Sequence, residues 1–242
     1  MAELIDLTAR IHEGMANHPA HGRSPVFLTG TRMNHDETED TWRGKGVEDM
    51  SLMNGFVLFA EHNGTHVDAP VHIHPDGEGI DEVPLEECYG PAVWLDLSEA
   101  GSRERIGPAD LEAAIEAADI DVRAGDSVLL HTGWDRHLPD DQSTYLGEHP
   151  GLSEAGAQWL HGRDVSLVGI DCGNIDAAGA TALPAHRVFL RQDVPDKHTL
   201  VAENLRGIDR IPTHRFTFSA TPLPIEGATA SPVRALAIVN EE

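Results

Sequence analysis

Between Val93 and Ile170 the chain alternates two kinds of segment, and that alternation limits what it can fold into. Val93-Trp94-Leu95-Asp96-Leu97, Ser127-Val128-Leu129-Leu130 and Val165 to Ile170 are short runs, apolar almost throughout. Runs of this length, bounded by turn residues, read as buried strands. Between the first two, Pro108 opens a helical pattern in which Leu111, Ala114, Ile115 and Ala118 share one face. Ser153 is suited to cap a second helix, running through Trp159 and Leu160 and ended by Gly162. Leu4 to Leu7 reads as a first strand and Arg234 to Val239 as a last one. Strands alternating with helices make an α/β protein. No internal repeat, low-complexity tract or linker interrupts the 242 residues, so residues 1–242 are read as a single domain.

The chemistry is concentrated elsewhere. Residues 12–50 carry few periodic apolar positions and read as a long loop region, with one short strand at Val26–Leu28. Phe56-Val57-Leu58-Phe59-Ala60 then reads as a buried strand, and it feeds into His62-Asn63-Gly64-Thr65-His66-Val67-Asp68-Ala69-Pro70-Val71-His72. Imidazole nitrogen and carboxylate oxygen are the donors that borderline divalent metals accept, and three such ligands with open positions make a catalytic rather than a closed structural site. The spacing of His62 and His66 can bring both rings to one side of a helical turn. Gly64 permits a tight turn, and Pro70 keeps Ala69 out of the helical region. Cys172 reads as a small core residue, Trp94, Trp134 and Trp159 as core aromatics, and Arg234 as one half of a salt bridge.

This stretch resembles the HxGTHxDxPxH signature of the cyclase family, which includes bacterial kynurenine formamidases and isatin hydrolases. His62, Gly64, Thr65, His66, Asp68, Pro70 and His72 all match. Asp6-Leu7-Thr8, Leu130-His131-Thr132-Gly133-Trp134, Gly169-Ile170-Asp171, Leu183-Pro184-Ala185-His186, Glu203-Asn204-Leu205 and Ser231-Pro232-Val233-Arg234-Ala235 extend the likeness along nearly the whole chain. The resemblance implies a swivelling β/β/α fold and a homodimer. It implies one or two divalent ions, Zn2+ or Mn2+. His62, His66 and Asp68 would hold the first ion, and Asp68, His186 and Glu203 the second. His72 would be the general acid/base in hydrolysis of a small amide, an aryl formamide such as N-formylkynurenine or a cyclic amide of the isatin type. Two departures stand out. Formylkynurenine-cleaving members tend to carry Trp before the N-terminal Pro, where this chain has His18 before Pro19. The family's DxxSxD stretch is Asp171-Cys172-Gly173-Asn174-Ile175-Asp176, with Asn174 in place of Ser. A metal-dependent lyase and a non-catalytic metal-binding protein are the alternatives from other classes. A serine hydrolase is not expected, since no G-x-S-x-G elbow is present.

The charge balance excludes several partners. The chain has 41 acidic and 17 basic residues, a formal net charge of -24, and its only lysines are Lys45 and Lys197. That sign disfavours nucleic-acid phosphates and anionic membrane surfaces alike. With no secretory signal and no apolar run of membrane-spanning length, a cytoplasmic protein is the expectation. Dispersed acid with almost no lysine points to adaptation to high salt, because like charges on a compact surface repel until screened. The melting temperature is therefore expected to rise from dilute buffer to molar salt; full stability in dilute buffer would contradict the adaptation.

Overall fold

The computed structural model describes residues 2–15, 27–190 and 198–240. Strand β1 is Glu3–Asp6; β2 (Phe27–Met33) and β3 (Asn54–Leu58) pair with each other and flank helix α1 (His35–Arg43) in sequence. There follow β4 (His66–Asp68), α2 (Leu85–Cys88), β5 (Tyr89–Asp96), β6 (Arg105–Ile106) and α3 (Pro108–Ala118). Next come β7 (Ser127–His131), α4 (Gln142–Gly147), β8 (Gly151–Leu152), α5 (Glu154–His161) and β9 (Leu167–Ile170). The chain ends with α6 (Pro184–Phe189), β10 (Leu200–Glu203), β11 (Arg215–Ser219), β12 (Ala230–Pro232) and β13 (Leu236–Val239). The fold is mixed α/β, as the alternation predicts. No described helix is long and apolar enough to cross a membrane.

Nine strands form one sheet in the order β1-β13-β11-β5-β7-β9-β10-β4-β12. β5, β7, β9 and β10 run parallel at its centre, and antiparallel strands flank them. The sheet cannot be flat. β12 and β13 stand seven strand spacings apart in that order, about 34 Å if laid flat. Only Val233–Ala235 join them, and such a link reaches about 14 Å fully extended. The edges are drawn together, and the residues following β1 and β10 meet in a bridge between Thr8 and Leu205.

Side-chain alternation along the strands sorts the interior into two cores. Val93, Leu95, Val128, Leu130, Val168, Ile170 and Val201 pack with Leu111 and Ala114 of α3, Leu160 of α5 and Phe189 of α6. Ala92, Leu129, Leu167, Leu200, Ala202 and Val67 point to the opposite face, which the curl encloses with Phe218 and Leu205. Space is short there: a Cβ on Gly169 would lie 2.6 Å from both Leu129 and Leu205 side-chain carbons. The helices end much as their sequences predict. Ser153 Oγ accepts the Gly156 N–H at the start of α5, and the Asp110 carboxylate accepts the Gly107 N–H at the start of α3.

Three expectations need correction. Residues 12–50 hold the expected strand, as the longer β2, but the rest is not all loop, since α1 lies within it. The missed signal is a capping box: Asn34 Oδ1 accepts the Glu37 N–H while the Glu37 carboxylate accepts the Asn34 N–H. The helix escapes a search for apolar periodicity because Thr38 is its only buried residue. The run from Phe56 is a strand, β3, but an exposed one; Phe56, Val57 and Leu58 are each at least half exposed. Finally, His62 and His66 are not on a helical turn, because residues 61–64 form turns and bends and His66 starts β4.

Candidate metal centre

Register alone brings three of the expected residues together. β4 pairs antiparallel with β10, with His66 opposite Glu203 and Asp68 opposite Val201. Directly opposed residues share a face, as do residues two apart on one strand, so His66, Asp68 and Glu203 point the same way. Val201 lies on the face that the helices cover. α6 packs on that face and carries His186 over β10.

The loops around β4 supply the rest. Gly64, at φ +68°, takes a left-handed conformation just before the strand, where a Cβ would meet the Ile11 side chain at 3.0 Å. Thr65 Oγ1 accepts the Ala9 N–H at 2.7 Å and donates to the Asn204 carbonyl at 2.6 Å, tying the turn to two other segments. After β4, Ala69 is extended, as the following proline requires, and Pro70–His72 form a short 3-10 turn. That turn folds His72 back against His62, with ring centroids 4.3 Å apart.

The other five expected residues gather around Asp68. Its Oδ1 is 2.8 Å from His62 Nδ1 and 3.3 Å from His66 Nε2; its Oδ2 is 3.4 Å from His186 Nε2. Glu203 lies 3.6 Å from His66 Nε2 and 3.3 Å from His186 Nε2. Possible ligand atoms of His62, Asp68 and His72 fall within 4.8 Å of one another, and so do those of His66, Asp68 and Glu203. Asp68 is common to both groups.

The polar atoms facing this centre fit a cation. His66 Nε2 and both Asp68 oxygens are buried and lack a hydrogen bond of good alignment among the described residues. Buried polar atoms are normally satisfied, so three together at the meeting point of His and carboxylate side chains point to an ion as their partner. The outward nitrogens are held. His66 Nδ1 lies 2.9 Å from the Gly64 carbonyl, and His186 Nδ1 lies 2.6 Å from Asp176. His62 Nε2 lies 2.9 Å from Thr229 Oγ1, which donates to the Glu61 carboxylate. Asp176 lies in a stretch that the sequence singled out without giving it a role. Glu61 and Thr229 had no signal beyond, for Glu61, its place beside His62.

Electrostatics agree. Burial pushes the Asp68 carboxyl up, but the neighbouring imidazoles of His62, His66 and His186 overcome this and hold it well below the ordinary range. Glu203 is lowered too, burial being outweighed by His186. Burial pulls the His66 imidazole down, yet Asp68 and Glu203 push it up to about 9. His186 is likewise raised, its burial overcome by Asp176, Asp68 and Glu203. Protons on these rings balance the buried carboxylates at neutral pH, and a divalent ion would displace them.

Residues outside the centre fall into place around it. His74 is half-buried and accepts the Asp76 N–H. His131 ends β7 and bonds Asp171. Cys172 and Trp134 are buried, whereas Trp94 is half-buried and stacks on His214, and Trp159 lies under the Arg163 guanidinium. Arg234 pairs with Asp6. Asn174, where Ser is usual, accepts the Asp176 N–H. His18 and Pro19 lie outside the described residues.

The Cyclase family model matches residues 5–177. The kynurenine formamidase of Salinibacter ruber is 32% identical over 219 residues, 88% of this chain and 93% of that protein. The isatin hydrolase of Roseibium aggregatum is 30% identical over 200 residues, 76% of this chain and 74% of that protein. Among solved structures, isatin hydrolase A from Ralstonia solanacearum superimposes with a TM-score of 0.79 at 26% identity, over 99% of this chain and 92% of that one.

Proton displacement can be measured. Titration calorimetry of Zn2+ or Mn2+ at neutral pH, in buffers of different ionisation enthalpy, is expected to show proton release, with affinity climbing as pH rises toward about 9. Heats that do not depend on the buffer would mean that His66 is already neutral.

Proposed function

The chain belongs to the cyclase family, and we propose that it is a metal-dependent amidohydrolase acting on a carbon–nitrogen bond other than a peptide bond. The favoured substrate is an aryl formamide such as N-formylkynurenine. The observation that carries the reading is the sharing of Asp68 between two groups of ligand atoms, one with the half-buried His62 and His72 and one with the buried His66 and Glu203. His62, His66 and Asp68 would hold one ion; Asp68, His186 and Glu203 would hold a second. Zn2+ and Mn2+ both suit this donor set. When bound, such an ion lowers the pKa of water and polarises a carbonyl.

His72 supplies the proton traffic. Burial holds its imidazole below the ordinary value; Asp68 opposes this, and the charges on His62 and His186 reinforce it. It is therefore neutral near pH 7 and free to accept a proton. As the carbon–oxygen bond forms and the carbon–nitrogen bond breaks, the proton taken from water is returned to the leaving nitrogen. Formate and a free amine are the products from a formamide. The buried Asp68 and Glu203, paired with histidines, keep their charge throughout.

A cyclic amide of the isatin type is the second reading. The fold likeness to isatin hydrolase A and the presence of His18 where formylkynurenine-cleaving members tend to carry Trp both favour it. A homodimer belongs to the same proposal. It is supported by the exposed Phe56, Val57 and Leu58 on a two-stranded ribbon, a unit that is marginal without a surface to cover it.

Two measurements test this reading. Protein purified in high salt is expected to release formate from N-formylkynurenine, and a chelator should abolish the release. Ring opening of isatin without formamidase activity would transfer the assignment to cyclic amides, and failure on both by metal-loaded protein would refute it. His72→Ala is expected to keep its metal while kcat falls by about 10²–10⁴-fold. Loss of metal from that variant would make His72 a ligand instead.

A further inference from the structure

The three histidines nearest Asp68 are braced in three different ways. A backbone carbonyl holds His66 and a threonine hydroxyl faces His62, whereas His186 is held by a carboxylate. That carboxylate, Asp176, is buried, and both its oxygens are engaged on α6. Oδ1 accepts the Ala185 N–H at 2.6 Å, and Oδ2 lies 2.6 Å from His186 Nδ1. The chain enters α6 through Ala182 and Leu183, both at positive φ, a costly backbone that neighbouring contacts must hold in place.

Asp176 is itself fixed. Its N–H donates to Asn174 Oδ1, and its backbone bridges to Leu152. The preceding Ile175 N–H donates to Glu203 Oε1 at 2.8 Å, so one short loop steadies both His186 and Glu203. Gly151 lies against the backbone of residues 175–177 so closely that a Cβ there would be 2.4 Å from the Ala177 nitrogen.

We infer that Asp176 is the positioning residue for the half of the centre built by His186 and Glu203. With Nδ1 donating to the carboxylate, the nitrogen that gives up its proton to an ion would be Nε2, which lies beside Asp68 and Glu203, and the ring would be a stronger donor to that ion. Asp176 contributes nothing of this kind to His62 or His66, so the two ion positions depend on it unequally. The inference rests on the metal-dependent reading above.

The test is calorimetric titration of Zn2+ into the metal-stripped full chain and into Asp176→Asn, which keeps the shape of the side chain. The second equivalent is expected to bind about 10–100-fold more weakly in the variant while the first is unchanged. Melting temperatures of the stripped proteins report folding separately. Unchanged affinity for both equivalents would overturn the inference. So would equal weakening of both, the mark of a general structural role. A wild-type chain that takes up one equivalent would also overturn it, yet leave the hydrolase reading intact. Two-equivalent binding by a protein that turns over no amide would instead defeat the hydrolase reading alone.

Discussion

The pairing of two short strands, β4 and β10, is the interaction on which the centre depends. It sets His66 beside Glu203 and, two residues on, brings Asp68 to the same face. Two carboxylates placed in so dry a position each cost several kcal/mol unless compensated. The compensation comes from a ring of imidazoles, and that ring exists only because α6 and the Pro70–His72 turn approach from different directions. The curl of the sheet serves the same end. By drawing β12 round to β4, it gives β4 a neighbour on each side and keeps its ladder closed.

Much of the α/β framework is legible in the sequence because buried strands and amphipathic helices carry strong periodic signals. Val93–Leu97 and Ser127–Leu130 overlap β5 and β7, and Leu111, Ala114, Ile115 and Ala118 turn a common face inward on α3. Between residues 27 and 58 the two strands are legible, but helix α1 and the exposure of β3 are not, for two physical reasons. α1 buries almost nothing, so its identity lies in its cap rather than its stripe. β3 is apolar but exposed, and composition cannot distinguish an apolar strand that is covered from one that is not.

The centre was legible in a different way. His62, His66, Asp68 and His72 stand within one eleven-residue stretch, so sequence proximity announces them. His186 and Glu203 carry no local signal of that kind and were reached through resemblance. The structure gathers them through strand register and helix docking, neither of which can be seen along the chain. Asp176 was harder still. Its importance lies in which nitrogen of another residue it touches, a relation that exists only in three dimensions.

The order of these residues along the chain has a consequence for biosynthesis. His62, His66 and Asp68 emerge together, while His186 and Glu203 follow more than a hundred residues later. At ordinary rates of translation the interval is on the order of ten seconds. During that time β4 has neither of its neighbours, since β10 and β12 are both still to be made. The nascent chain thus displays half of the candidate centre before the sheet that will shelter it exists, and the complete cluster of side chains must await nearly the last strands synthesised.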